Sequence, residues 1–416
     1  MTDVSIPAGS LRSWAIPADL MRWVVVAAAT LAMVAGFGLT ATVALMVKPF
    51  EAESGWLRAD IAFSYTLLCA GAALGGLVAG WANDRLDTRP IVVFGTAVIG
   101  AGLVAISRQN DLSLIQTIYL AVGVFGFACL YTPVLATVSL WFDARRGLAM
   151  GIVTAGGALG QGILPVLMQP IIAAQGWRFA FAALGLVYLI LLAPLMLLLR
   201  KPPALPANEA GAPVPPASRA WALPPVAGIA WMSLAALFCC ATMAVPLVHL
   251  LALFADRGLS DSLGGSLVLI IMLAASVGRI VFGMAADRFG VVAAYAASVL
   301  LQTVTLYGFV SVSVVWLYGL AILFGFGFGG VMTTLLLCAR ATVSAEASGR
   351  ATSLVTLFAW VGMGVGAYQG GYCFDLSGSY AVSFASAALA GIANLIVISG
   401  LWLHLRHSER RRAAQA

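Results

Sequence analysis

The sequence predicts an all-α polytopic membrane protein, with twelve transmembrane helices arranged as two six-helix bundles. Three observations lead there. Hydrophobic residues fill 62% of the 416 positions and charged residues only 9%, whereas soluble domains run near a quarter charged. The apolar residues gather into twelve continuous runs, each long enough to cross ~30 Å of hydrocarbon. They do not form the alternating segments of about ten residues that mark a membrane β-barrel. Finally, a short charged motif recurs at the same place in each half of the chain.

Residues 1–22 are mixed and polar, lack a secretory signal pattern, and read as a cytoplasmic N-terminal tail. The first bundle, 23–199, holds the runs 23–47, 59–82, 89–107, 112–138, 147–174 and 178–199. Residues 200–222 are rich in proline and alanine, cannot pack a core, and read as a cytoplasmic linker. The second bundle, 223–405, holds 224–254, 263–285, 291–312, 314–337, 351–373 and 380–403, and residues 406–416 form a basic cytoplasmic tail. With the N-terminus inside, sixteen of the 22 Lys and Arg residues fall on the cytoplasmic side, five fall on the other, and Arg279 lies within a run. Positive charge marks the inner face. The split therefore predicts both termini in the cytoplasm of a multi-pass protein of the cell membrane, the inner membrane if the source is bacterial.

The excess of +6 charges thus follows topology, and no nucleic-acid partner is expected. All six cysteines lie in apolar runs without CxxC or Cys/His spacing, so they read as buried small hydrophobes rather than disulfides or metal ligands. Glycine clusters such as Gly156, Gly157, Gly160 and Gly162 have no strand before them. They mean close helix packing, not a phosphate loop.

The repeated motif is Gly80-Trp81-Ala82-Asn83-Asp84-Arg85 after the second run and Gly283-Met284-Ala285-Ala286-Asp287-Arg288 after the eighth, 203 residues later. Its carboxylates can meet a neighbouring helix N-terminus or arginine in one conformation only, as a gate latch does. Eight residues before Asp287 stands Arg279, about 12 Å inside the helix end. Its neighbours at i±3 and i±4 are Ser276, Phe282, Ala275 and Gly283, so its own helix does not neutralise it. The alternatives are a guanidinium that snorkels to the interface and one that faces a polar cavity. The second is the working expectation, because an intramembrane charge is costly without a partner.

The G-x-x-x-D-R-x-G motif, the parallel six-plus-six repeat and the central linker resemble the major facilitator superfamily over the whole chain. The second copy is complete, ending in Gly290; the first has Asp87 in place of the final glycine. The stretch Trp141-Phe142-Asp143-Ala144-Arg145-Arg146-Gly147-Leu148-Ala149-Met150-Gly151, together with Gly55-Trp56-Leu57-Arg58, is similar to the monocarboxylate-transporter-like branch, which includes the oxalate:formate antiporter. The resemblance implies carboxylate transport with Arg279 pairing the substrate. Where proton-coupled animal members of that branch carry an aspartate and a lysine, this chain has Ala275 and Ala41. Where the dicarboxylate antiporter has an eleventh-helix lysine, it has Ala359-Trp360. One buried cation suits a monoanion.

Tyr131, Gln161, Trp360 and Tyr368 are expected beside Arg279, since the fourth, fifth and eleventh helices line the cavity in that fold. Asp84, Arg85, Asp287, Arg288, Arg145 and Arg146 are expected to gate. Apart from Asp60 at the very start of the second run, no Asp or Glu lies inside a run, and His249 is the histidine that does. It is either a protonation site or a neutral ring bonded to a carbonyl freed by Pro246. The expectation is a monomeric secondary transporter of small organic monocarboxylates, with a proton as co-substrate and lipid as solvent, and without a cofactor. Carboxylate exchange and proton-driven export of hydrophobic compounds are the alternatives. No nucleophile, metal set or acid–base pair points to an enzyme.

Overall fold

A computed structural model of the chain describes residues 18–142, 146–202, 223–344 and 347–415. Among them, eleven continuous helices are long and apolar enough to cross a membrane. One, Leu148–Leu198, has 51 residues, or about 76 Å of helix, more than twice the hydrocarbon thickness. It is broken at Gly176, whose φ of 81° and ψ of 161° are not helical. That break makes two crossings of one assigned helix and twelve in all.

In chain order the helices are α1 (Ala18–Ser54), α2 (Arg58–Arg85), α3 (Thr88–Ile106), α4 (Leu112–Trp141), α5 (146–175), α6 (177–198), α7 (Pro225–Asp256), α8 (Asp261–Phe289), α9 (Val291–Ser311), α10 (Val314–Ala341), α11 (Ser348–Ser377) and α12 (Tyr380–Gln415). In the first half α1 packs on α5, α2 on α4 and α3 on α6. In the second α7 packs on α11, α8 on α10 and α9 on α12. The repetition reaches single residues. Gly75 of α2 lies against the Val124 carbonyl of α4, and Gly278 of α8 lies against the Phe326 carbonyl of α10. A Cβ at either position would overlap that carbonyl, so only glycine lets the helices approach this closely. The halves meet along α2–α11, α5–α8 and α1–α7; in the first seam Thr66 Oγ1 donates to the Gly364 carbonyl at 2.7 Å.

The two copies of the charged motif end differently. Gly290 adopts φ 90°, a region that an L side chain rarely enters. In the first copy Leu86 and Asp87 are extended, with φ of −107° and −68°. Asp87 caps α3, accepting from the Thr88 N–H at 2.8 Å, so this turn needs a capping carboxylate and no glycine. Large apolar side chains such as Leu77, Ile190 and Val315 stay exposed, at 70%, 72% and 82%. In a chain this apolar they face lipid.

Candidate functional site

Arg279 points out of α8 toward α5 in the other half. Its Nη1 donates to the Thr154 carbonyl at 2.5 Å, while its Nε is buried without a hydrogen-bond partner. Among the described residues no carboxylate forms an ion pair with it. A guanidinium offers five N–H donors, so one carbonyl leaves most of its capacity unused.

This side chain lines a cavity of about 770 Å³ that includes open solvent space. The cavity runs between the halves, with walls from α1, α2, α4, α5, α7, α8, α10 and α11, and Arg279 is its one charged lining residue among those described. Tyr131, Gln161 and Trp360 line it too. The structure therefore brings four of the expected binding residues together. Gln161 Nε2 donates to Thr40 Oγ1 at 3.0 Å. Tyr131 and Trp360 belong to a ring set with Phe37 and Phe127, with the Tyr131 and Trp360 centroids 6.3 Å apart and nearly perpendicular. Phe37, Thr40, Met332 and Thr356 also line the space and were not singled out from sequence. Apolar or small, they carry no signal of their own outside the fold. Leu335, Leu336, Val355 and Thr356 carry the cavity toward the end of the molecule where α10 finishes and α11 begins. A second cavity of about 490 Å³ lies deeper and shares Thr40, Tyr65, Gln161 and Leu247 with the first.

Tyr368 is not brought to this space. It is 39% exposed, stacked on Tyr372 and edge-on to Phe63 of α2. His249 is fully buried near the end of the bundle opposite the linker. Its Nε2 bonds the Ala367 carbonyl at 2.8 Å and its Nδ1 the Tyr380 hydroxyl at 3.1 Å. A carbonyl only accepts, so Nε2 carries a proton; in the neutral ring Nδ1 then accepts from Tyr380. The carbonyl belongs to α11, not to the stretch of α7 opened by Pro246.

Above His249 the halves are joined by charge. Lys48 of α1 meets Asp256 of α7 at 2.9 Å. Arg58 at the start of α2 meets Asp256 at 2.5 Å and Glu51 at 2.9 Å. Its guanidinium lies 3.7 Å from the Phe374 ring centroid and 5.1 Å from that of Tyr380. Asp375 of α11 accepts from the backbone N–H groups of Arg58 at 3.1 Å and Ala59 at 2.8 Å. Leu57 offers α2 no side-chain cap, so Asp375 supplies from the other half what the helix N-terminus lacks. Sequence reading missed this cluster, because its members lie up to 317 residues apart.

At the linker end the picture is reversed. Asp84, Arg85, Asp287 and Arg288 are exposed. Arg85 lies over the Trp81 ring and Arg288 over that of Phe289. Among the described residues no ion pair joins the halves there. Arg145 and the side chain of Arg146 lie outside the described residues.

The model of the Major Facilitator Superfamily matches residues 20–256 and 230–416. MFS-type transporter 1 of an Ophiocordyceps species is 28% identical over 277 residues, 64% of this chain and 59% of that protein, so the match leaves a large part of that relative uncovered. Monocarboxylate transporter 13 of Rattus norvegicus is 25% identical over 408 residues, 92% of this chain and 89% of that one. A bacterial homologue of the human lysosomal transporter Spinster, inward-facing and unoccupied, superposes with a TM-score of 0.69 over 94% of this chain and 97% of its own at 14% identity, a likeness of fold.

Proposed function

The chain belongs to the major facilitator superfamily, and on that premise we propose that it is a secondary transporter of small organic monocarboxylates. The single observation that carries this reading is Arg279, a guanidinium in a largely apolar cavity with a buried, unpartnered Nε and no carboxylate among the described lining residues. The planar fork of arginine matches a carboxylate, and one cation balances a monoanion. In the proposal Tyr131 and Gln161 donate hydrogen bonds to the substrate and Trp360 packs on it. Tyr368 takes part only if α11 turns.

Alternating access between the two six-helix bundles follows from the polarity of the closure. The ionic cluster shuts one end, while the end that carries the linker has no such lock among the described residues. The Lys and Arg distribution assigns the linker end to the cytoplasm. Closing that end would bring Asp84, Arg85, Asp287, Arg288, Arg145 and Arg146 into play as a latch.

Proton symport is the preferred mode. A second proton on His249, at Nδ1, removes the acceptor of the Tyr380 hydroxyl and places positive charge beneath Arg58. Both effects loosen the closed end, so protonation there favours loading from outside. Exchange of one carboxylate for another needs no such step and is the alternative. Export of hydrophobic compounds draws support from the apolar lining, but a proton-exchanging carboxylate is missing from the lining residues. Uptake of radiolabelled pyruvate and benzoate, with succinate as the dianion, into proteoliposomes with and without an inward pH gradient tests the proposal. Monocarboxylate uptake that the gradient speeds and Arg279→Gln abolishes is the expected result. Full uptake by Arg279→Gln sinks the carboxylate role.

A further inference from the structure

The ring set beside Arg279 has a consequence for the substrate itself. Phe37 of α1, Phe127 and Tyr131 of α4, and Trp360 of α11 form a closed group. Phe37 and Phe127 centroids are 5.3 Å apart at 79°, Phe127 and Trp360 5.3 Å at 83°, and Phe37 and Tyr131 5.8 Å at 71°. Edge-to-face arrangements at these separations are the favoured ones. Three of the four rings, those of Phe37, Tyr131 and Trp360, line the cavity that holds Arg279. Met243, Met332 and Met363, from α7, α10 and α11, complete much of the remaining wall; thioethers adapt their shape and make favourable contacts with ring edges.

The chemistry of the lining, rings and thioethers around one cation, bears on the body of the acid. A wall of rings and thioethers gives ordered water few partners and suits an apolar body on the acid. Thr40, Tyr65, Gln161 and Leu247 line the second cavity as well. Arg279 is the one cation among the described lining residues, and it shares the cavity with the three rings.

From this geometry we infer that the substrate is a monocarboxylate with an aryl body, an arylalkanoate, its carboxylate on Arg279 and its ring in the part of the cavity walled by Phe37, Tyr131 and Trp360, the ring slot. The inference rests on the carboxylate reading of Arg279 for one end of the molecule and on the ring slot for the other. Leu247 lines both cavities.

The experiment is titration calorimetry of the purified full chain in lipid nanodiscs with lactate, octanoate, 3-phenylpropionate and the uncharged 3-phenylpropanol. The expected result is that 3-phenylpropionate binds at least about tenfold tighter than lactate or octanoate, a step that a hydrophobic slot can supply. Leu247→Trp, which adds bulk to the cavity wall, and Trp360→Ala, which removes a ring from it, are expected to cut the phenylpropionate-to-lactate affinity ratio by about tenfold. Trp360→Phe, which keeps a ring there, is expected to restore most of it and controls for folding. Lactate or octanoate binding as tightly as 3-phenylpropionate overturns the inference, and so does no binding of the aryl acid at millimolar concentration. The two readings fail separately. If 3-phenylpropanol binds as tightly as the acid and Arg279→Gln changes neither, the carboxylate assignment falls and the ring slot stands. If all acids bind alike and all depend on Arg279, the ring slot falls and the carboxylate assignment stands.

Discussion

Asp256 closes on Arg58 across the two halves of the molecule, carboxylate oxygen to guanidinium nitrogen at 2.5 Å, with Arg58 only 3% exposed. Lys48 holds the same carboxylate at 2.9 Å. One acidic side chain of α7 therefore balances two cations of the first half, and removing it leaves both facing Glu51 alone. Breaking a buried pair costs about 3–5 kcal/mol, and the partial exposure of Asp256, 27%, puts this case toward the lower end. Asp256→Asn is expected to shift the population toward a state open at this end. Spin labels at the exposed positions Ala52 and Asp261 should report a longer distance by double electron–electron resonance. An unchanged distance distribution would mean that apolar packing, not charge, holds this end shut.

Arg279 sits at a cost. A guanidinium with a buried unpartnered Nε is an unfavourable tenant of a membrane helix, by ~2.5–3.5 kcal/mol on insertion scales. Arg279→Leu should therefore raise the melting temperature of the ligand-free protein while it abolishes substrate binding. Arg279→Lys keeps the charge and loses the fork; its uptake should fall by about 10- to 100-fold, the worth of a charge-assisted hydrogen bond. A melting temperature that drops in Arg279→Leu would show that the bond to Thr154 is chiefly structural.

The glycine seams make a paired prediction. Gly278→Ala and Gly75→Ala each place a Cβ onto a facing carbonyl and should destabilise by about 1–3 kcal/mol, as overpacking does. Gly319, in α10, has nothing within 4 Å of its notional Cβ. Gly319→Ala should leave stability unchanged or raise it by ~0.5–1 kcal/mol through helix propensity alone. Thermal unfolding of the three variants in one detergent decides, and equal effects at all three positions would contradict the packing argument.

His249→Gln retains a donor for the Ala367 carbonyl and cannot gain a proton. If His249 carries the coupled proton, this variant should transport at a rate that no longer responds to an inward pH gradient. Gradient-driven acceleration equal to that of the parent protein would confine His249 to bracing α7 against α11 and α12.

Much of the architecture is legible in the sequence because lipid demands long apolar runs and leaves few alternatives. The break between α5 and α6 is harder to see, since Gly176 interrupts the helix for one residue only. Asp87 looks like a defect in the motif until its bond to the Thr88 N–H shows that this turn works by capping. In the cavity, Arg279, Tyr131, Gln161 and Trp360 converge as expected. Tyr368 does not, and the helix explains it: eight residues past Trp360 is roughly 80° further round, enough to turn Tyr368 from the cavity to the Phe63 seam. The ionic cluster was out of reach for a different reason. Local spacing says nothing about Ala59 and Asp375, which are 316 residues apart, and only packing brings them together.

The cap that Asp375 places on α2 ties the closed end to a local folding equilibrium. When the halves separate, the amides of Arg58 and Ala59 lose their acceptor, and the first turn of α2 is left to fray into water. The opening of this end is then partly a melting of helix, with an entropy gain that grows on warming. In the proposed alternating-access cycle, deuterium exchange at those two amides is a clock: slow while the carboxylate holds them, fast each time the gate swings away.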